Sequence, residues 1–201
     1  MTFPVGIPAP PVYATRNDAF SPAVVWRLEG GNLWIESGTA PLRVVNLSAV
    51  REVRLEFAPT RPERNRYRCQ LRLRNGATET IFNRTYRGVM DFLDTSEAYR
   101  TFVPGVLSAV AKHAPACRFL AGATPANYAL GVAGFIFTSA VLALILGILV
   151  IAGLWWWAVV KVGLIAFYLP TAWRWLRRNR ELRFDPDKPP MEVLPEARAA
   201  R

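Results

Sequence analysis

The feature that most constrains this chain is a run of 42 residues, from Phe119 to Val160, without a charged side chain. Charged groups are costly in hydrocarbon, and a lipid bilayer is the solvent in which such a long uncharged run is stable. An Arg-rich segment, Arg174–Arg180, follows soon after it. The pattern predicts an integral membrane protein.

This hydrophobic region is long enough for two membrane-spanning helices. One span takes about 20 apolar residues, so we expect helices over about 128–151 and 155–175, joined by a turn at Gly153. Tryptophan favours the membrane interfaces, and tryptophans bracket the second helix. The predicted interfacial tryptophans are Trp155, Trp156, Trp157, Trp173 and Trp175.

Basic residues predict the orientation of the two helices. Lys112 and Arg118 precede the first helix, arginines follow the second, and the turn around Gly153 has no basic residue. The positive-inside rule then places both termini in the cytoplasm. The arginines predicted at this interface are Arg174, Arg177, Arg178 and Arg180, with Arg183 just beyond them.

Apart from Arg174 at the predicted interface, Lys161 is the only charged side chain within the predicted spans. One interpretation is a functional ammonium group in a transport or channel assembly of which this chain is a subunit. The other is that Lys161, within about two turns of Trp155–Trp157, extends its amine to the interface.

Small residues recur every fourth position in the first span, at Ser139, Ala143 and Gly147. Such a face lets two helices approach closely. It predicts packing against the second helix of the same chain, or alternatively a homo-oligomer.

The N-terminal part of the chain has a different pattern. Residues 1–20 are rich in proline and lack periodicity, which predicts a mobile or surface-laid lead-in. Apolar and polar residues then alternate, as in half-buried strands, with turn signals at Gly30-Gly31 and Asn75-Gly76. The predicted strands cover about 22–29, 32–37, 41–46, 50–57, 67–74, 78–85 and 88–92.

An amphipathic helix is predicted after the strands. Asp94 and Glu97 form a capping pattern, and apolar residues with helical spacing continue to about His113. Pro104 is expected to kink or restart this helix. Residues 117–120 are expected to form a short extension before the membrane region.

Seven short antiparallel strands closed by one helix resemble the pleckstrin-homology-like (PH-like) fold. The segment Pro41–Leu55 is similar to the strand, Leu-Ser-x-Val, strand segment of bacterial PH-like domains fused to membrane helices. The tail, with Arg183–Pro186 and Leu194-Pro195, resembles that of small bacterial inner-membrane proteins. These likenesses imply a location and a fold but no reaction. Here the module precedes the membrane helices, unlike the usual order.

The resemblance and the patterns together predict an α+β fold. Residues 21–120 are expected to form a small antiparallel β barrel or sandwich with a C-terminal helix. A transmembrane α-hairpin is expected over 127–175, and a basic, Pro-rich cytoplasmic tail over 176–201. That tail is expected to be extended, as a solvated segment or a docking peptide. The expected location is the bacterial inner (plasma) membrane.

A row of arginines is predicted on one face of the strand over 67–74. In one interpretation it contacts anionic lipid headgroups. In the other it is a solvated face partly neutralised by Glu52, Glu56 and Glu79. The arginines of this predicted surface are Arg54, Arg61, Arg64, Arg66, Arg68, Arg72 and Arg74.

The net charge of +10 suits an anionic neighbour, either a lipid leaflet or nucleic acid. A stacking platform for nucleic acid is not indicated, because Tyr67 alternates toward the core and Tyr86 lies near a strand end. His113 is the single histidine, and Cys69 and Cys117 lack metal-ligand spacing and are expected to be free thiols. We therefore expect a non-enzymatic module, without cofactor or metal, that contacts anionic lipid or a protein partner.

Overall fold

A computed structural model of the chain describes residues 11–38, 40–60, 63–89 and 91–196. The chain divides into two compact units. The first comprises residues 1–121 and 183–201, and the second comprises residues 122–182. The first unit has the α+β composition that the sequence predicts, with mostly antiparallel sheets, and the second is helical.

The first sheet is a four-stranded antiparallel meander. Alternate side chains enter the core, among them Tyr13, Trp26 and Leu33. Gly30 and Gly31 have φ angles of 57° and 77° and form the two-residue turn of the central hairpin. This confirms the turn predicted there. The strands are β1 Val12–Thr15, β2 Val24–Glu29, β3 Asn32–Ser37 and β4 Arg43–Asn46.

Strand β1 lies within the segment that the sequence assigned to a lead-in. Its residues pair with β2, and Tyr13 and Thr15 are buried. The Tyr13 hydroxyl donates to the Phe82 carbonyl at 2.6 Å and lies 2.7 Å from the Thr95 hydroxyl. Four residues beside a Pro-rich segment carry little periodic signal, and their pairing partner decides their conformation.

The second sheet combines antiparallel and parallel pairs. The turn at Asn75-Gly76 joins two of its strands, as predicted. A short extension was predicted over 117–120, and residues 118–121 instead pair in parallel with the strand over 50–57. The strands are β5 Val50–Phe57, β6 Tyr67–Leu73, β7 Thr78–Phe82, β10 Arg118–Ala121 and β11 Leu182–Arg183, in the order β11-β10-β5-β6-β7.

Asn83 divides the single strand predicted over 78–85. Its carboxamide is buried, accepts from the Tyr67 amide at 2.6 Å and donates to the Ser96 hydroxyl at 2.8 Å. Because the side chain replaces ladder hydrogen bonds, the chain leaves the second sheet here. It continues as a separate two-stranded sheet of β8 Arg84–Gly88 and β9 Asp91–Asp94.

Helix α1, Ser96–His113, closes the first unit. The predicted apolar face is its buried face, with Tyr99, Phe102 and Val106 among its members. The Asp94 carboxylate accepts the Ser96 amide at 3.0 Å, although the N-cap position itself belongs to Thr95. The helix continues through Pro104, so the predicted restart does not occur.

The second unit consists of helices α2, Pro125–Ile151, and α3, Trp155–Arg178. Proline at the first position and the Thr124 hydroxyl, which accepts the Asn127 amide, begin α2. Gly153, with a φ angle of 70°, lies in the short connection between the helices. The ring of Trp175 lies so close to Gly131 that a side chain at Gly131 would collide with it.

The tail forms part of the first unit. The Phe184 amide donates to the Phe119 carbonyl at 3.2 Å, and the two rings lie 6.0 Å apart in an edge-to-face arrangement. A 3-10 turn, Met191–Val193, lies next to β5, and Val193 and Leu194 are buried. The described part of the tail is therefore anchored to the first unit at two points, around Phe184 and at Val193–Leu194, while many of its polar residues stay exposed.

Candidate functional site

The predicted arginine face on β6 consists largely of ion pairs. Arg68 donates to the Glu56 carboxylate at 2.6 and 2.9 Å. Arg72 lies 3.8 Å from Glu52. These contacts join neighbouring strands, because Glu56 lies opposite Arg68, and Glu52 opposite Arg72. Cross-strand pairs of opposite charge stabilise a sheet.

Arg66 is held from two sides. Its guanidinium lies 3.5 Å from the Glu63 carboxylate and 4.0 Å from the centre of the Phe82 ring. Burial lowers the pKa of this guanidinium, the Glu63 carboxylate raises it, and Arg68 lowers it to a smaller extent. The charge of Arg66 is therefore directed at a carboxylate and a ring of its own unit.

Glu52 is the centre of the strongest charge cluster. It is 3% exposed and contacts Arg54 at 3.3 Å, Arg118 at 3.0 Å and the more distant Arg72. Arg54 is itself 5% exposed, so it does not extend a basic surface as the sequence predicted. A buried arginine needs a partner such as this carboxylate, because an uncompensated buried charge is strongly destabilising.

The remaining members of the predicted surface have different positions. Arg74 and Arg64 are exposed. Arg61 lies outside the described residues. Glu79, expected to neutralise β6, instead accepts two hydrogen bonds from Arg43 at 2.9 and 3.1 Å. The pairing with Arg43 depends on contact between strands 36 residues apart, which sequence alternation does not reveal.

A second basic group lies at the end of α3. Arg174, Arg177 and Arg180 are exposed, and among the described residues none of the three forms an ion pair. Arg178 is half-buried. The sequence predicted an interfacial position for all four, and three of them retain an accessible positive charge.

Aromatic side chains lie near both ends of α3. Trp155, Trp156, Trp157 and Trp173 are 60–78% exposed, whereas Trp175 stacks on Tyr128 with ring centres 6.3 Å apart. An indole that is exposed to water buries its apolar ring favourably at a membrane interface. Four of the five predicted interfacial tryptophans are therefore available for such contact.

The small-residue face of α2 does not pack against α3, which was one of its two predicted roles, and the homo-oligomer stays a prediction. Ala143 and Gly147 are exposed, and a side chain at Gly147 would meet nothing within 4 Å. The close approach between the helices occurs at Gly131 instead. Ser139 has a buried hydroxyl for which no hydrogen-bond partner exists among the described residues. Lys161 is half-buried.

Length and composition qualify α2 as a candidate membrane span. It has 27 residues and a mean hydropathy of 2.7 over its most apolar window, and none of that window is buried. In α3, the segment Trp155–Ala166 is apolar but shorter. Among the described residues, α2 is the helix that is long and apolar enough to cross a bilayer.

Residues with catalytic potential are dispersed. Within the part of the chain that the structure describes, no cluster of three or more His, Cys, Asp or Glu side chains is suited to a metal ion. His113 packs against the turn at Gly31. Both cysteines are free, Cys69 being buried and Cys117 half-buried. Burial raises the pKa of the Cys69 thiol to about 12 and that of Cys117 to about 11.

Comparison with protein-family models, with curated proteins and with solved structures finds no match for this chain.

Proposed function

We propose that this chain is an integral membrane protein of the bacterial inner membrane that crosses the bilayer twice. Its cytoplasmic, non-catalytic module would contact anionic lipid or a protein partner at the membrane surface. The observation that carries the proposal is the hydrogen bond between Phe119 and Phe184, on either side of the helical unit. The proposal also depends on the apolar character of α2.

The connectivity of the chain favours two crossings. Because Phe119 and Phe184 are hydrogen-bonded within the first unit, the chain leaves that unit and returns to it at one place. A segment that begins and ends on one side of a bilayer crosses it an even number of times. If α2 crosses, α3 must return, and its 24 residues are sufficient for a span.

The proposal that the module is PH-like draws on its order of strands and helix. A four-stranded meander is followed by the β5-β6-β7 meander, and α1 follows later in the chain. The parallel strand β10 and the additional β8–β9 hairpin depart from the simple seven-strand pattern.

Charge distribution supports the cytoplasmic assignment. Arg174, Arg177, Arg180 and Arg183 are exposed at and after the end of α3, whereas the connection over 152–154 contains no basic residue. The positive-inside rule favours the cytoplasm for the arginine-bearing side. The same arginines, rather than the paired ones on β6, are the proposed contacts for anionic headgroups, each worth about 1 kcal/mol near the leaflet.

Cysteine labelling in intact cells tests the proposal. The background carries Cys117→Ala and retains the buried Cys69, and single cysteines replace the exposed residues Ala152 or Lys188. A membrane-impermeant maleimide should label Ala152→Cys from outside and Lys188→Cys only after the inner membrane is opened. Equal external labelling of both positions, or extraction of the protein by alkaline carbonate, would overturn the proposal.

A further inference from the structure

Two apolar side chains of the first unit protrude almost completely from its surface. Phe20, in the loop 16–23 between β1 and β2, is 98% exposed. Val89, after β8, is 90% exposed. A single exposed apolar residue needs no explanation. These two differ from scattered residues in how Phe20 is held and in where both lie.

The loop that carries Phe20 is braced by its own polar side chains. The Asp18 carboxylate accepts the amides of Phe20 and Ser21 at 2.9 and 2.7 Å, and the Ser21 hydroxyl at 2.8 Å. Arg16 donates to the carbonyls of Ala19 and Ser21 at 2.7 and 3.0 Å. Five hydrogen bonds therefore hold a conformation in which the aromatic ring points into solvent.

The loop and the β8–β9 hairpin lie side by side. The Tyr86 amide donates to the Arg16 carbonyl at 2.7 Å, and the Arg16 amide donates to the Thr85 hydroxyl at 2.9 Å. Earlier in both segments, Tyr13 bonds to Phe82. Residues 13–16 and residues 82–86 therefore run side by side in the same direction. Both segments continue toward the same end of the unit.

That end is also where the chain leaves for α2. In the second sheet, Ala121 at the end of β10 lies opposite Leu55. Glu56 follows Leu55 on β5 and lies opposite Arg68 on β6. Arg68 in turn lies opposite Phe82, at the end of β7. The ends of β7 and β10 are therefore at one edge of the unit, and β8 begins there.

Only residues 122–124 separate β10 from α2, a reach of at most about 14 Å. We propose that Phe20 and Val89 insert into the interfacial layer of the bilayer that α2 crosses, so that the module rests on this membrane by two apolar tips. The inference rests on the proposed function, because it requires α2 to be a span.

The bilayer suits these tips better than a protein partner for two reasons. Arg87, two residues before Val89, is exposed and suits anionic headgroups. The tips are isolated protrusions rather than a broad apolar patch, and two side chains provide little area for a protein interface. Covalent tethering raises the effective concentration of the membrane, so weak insertion is sufficient.

Site-directed fluorescence in liposomes tests the inference. The full chain, with Cys117→Ala and the buried Cys69 retained, carries an environment-sensitive dye at Phe20→Cys or Val89→Cys. Ala77→Cys is the matched control, because Ala77 is exposed in the turn at the opposite end of β6 and β7. Leu144→Cys, in the middle of α2, reports whether that helix crosses. Quenching by aqueous iodide is compared with quenching by nitroxide-bearing lipid.

We expect iodide to quench the dyes at positions 20 and 89 at least about threefold less than the dye at 77, with nitroxide lipid showing the opposite order. Equal iodide quenching at 20, 77 and 89 overturns the inference, while a lipid-quenched dye at 144 leaves the proposed function intact. Iodide protection at 20 and 89 without lipid quenching means a protein cover and also overturns it. If nitroxide-bearing lipid does not quench the dye at position 144, the proposed function is refuted.

Discussion

Two groups of arginines in this chain differ in what surrounds them. On β5 and β6, arginines face carboxylates, with Glu52 and Glu56 almost completely buried beneath them. At the end of α3, Arg174, Arg177 and Arg180 are exposed. The first group is held in ion pairs within the fold, whereas the second retains charge that an anionic leaflet can attract. Arginine density alone therefore does not identify a binding surface, because the long-range acidic partners decide it.

The largest effect is expected from Glu52→Ala. This substitution removes a buried carboxylate that contacts Arg54, Arg72 and Arg118, and it should lower the free energy of unfolding by about 3–5 kcal/mol. Glu36→Ala is the control, because its pair with Arg27 is exposed and is worth about 0–1 kcal/mol. Denaturant unfolding of the detergent-solubilised protein measures both. Similar losses for the two variants would contradict the structural role of the Glu52 cluster.

The second prediction concerns the exposed arginines. Replacing Arg174, Arg177 and Arg180 by Asn should reduce external labelling of Ala152→Cys by about twofold or more, because basic residues near a span set its orientation. The control removes the same number of charges from exposed positions of the module. This control is the triple substitution of Arg51, Arg64 and Arg74 by Asn. Equal effects of the two triple variants would mean that orientation depends on the total charge and not on the exposed arginines beside α3.

A smaller effect concerns the reactivity of the two cysteine thiols. Burial raises the pKa of Cys69 to about 12 and that of Cys117 to about 11. Since only thiolates react, we expect Cys117 to alkylate at pH 8 at least about tenfold more slowly than a free thiol, with the rate rising as the pH approaches 11. Cys69 should react only on unfolding. Rapid alkylation of Cys69 in the native protein would mean that this core is open.

The pH dependence of stability follows from the same shifts. The pKa of the Cys69 thiol is near 9 in the unfolded chain and higher in the folded protein, so the contribution of this thiol to stability is complete below pH 9. That contribution is lost as the pH rises toward the pKa of the folded protein. Stability should therefore fall between about pH 9 and pH 11. The fall should be smaller in the Cys69→Ala variant, as unfolding curves at each pH will show.

The smallest effect is expected at Lys161. Lys161→Leu should leave the labelling of Ala152→Cys and the abundance of the protein unchanged, because a lysine near Trp155–Trp157 extends its amine to the interface. Ion flux through liposomes that contain the protein separates this view from a transport role. A flux that is present in the parent chain and lost in Lys161→Leu would favour the transport alternative.

The sequence predicted the parts of the fold that depend on local patterns. The turns at Gly30-Gly31 and Asn75-Gly76, the end of β2, the bounds of β3 and β5, and the buried face of α1 follow from turn chemistry and periodicity. It failed where the pattern was short or ambiguous. Asn83 did not stand out as a strand break, because its effect depends on hydrogen bonds to Tyr67 and Ser96, distant along the chain.

The candidate site shows the same division. The uncharged run, the tryptophans and the arginines after α3 are visible in the sequence, because a bilayer selects residues by composition. The exposure of Phe20 was missed, and its one local signal was Asp18, two residues earlier, a residue type that forms such turns with its side chain.

The sequence by itself determined the uncharged stretch, the alternating strands and the amphipathic helix, since each depends on residues close together in the chain. Only the tertiary structure decided that Glu52 contacts three arginines, that residues 12–15 and 118–121 are strands, and that residues 191–193 lie beside β5. The reason is physical: hydrophobic burial and ion pairing act between surfaces, and which surfaces meet is a property of the whole folded chain.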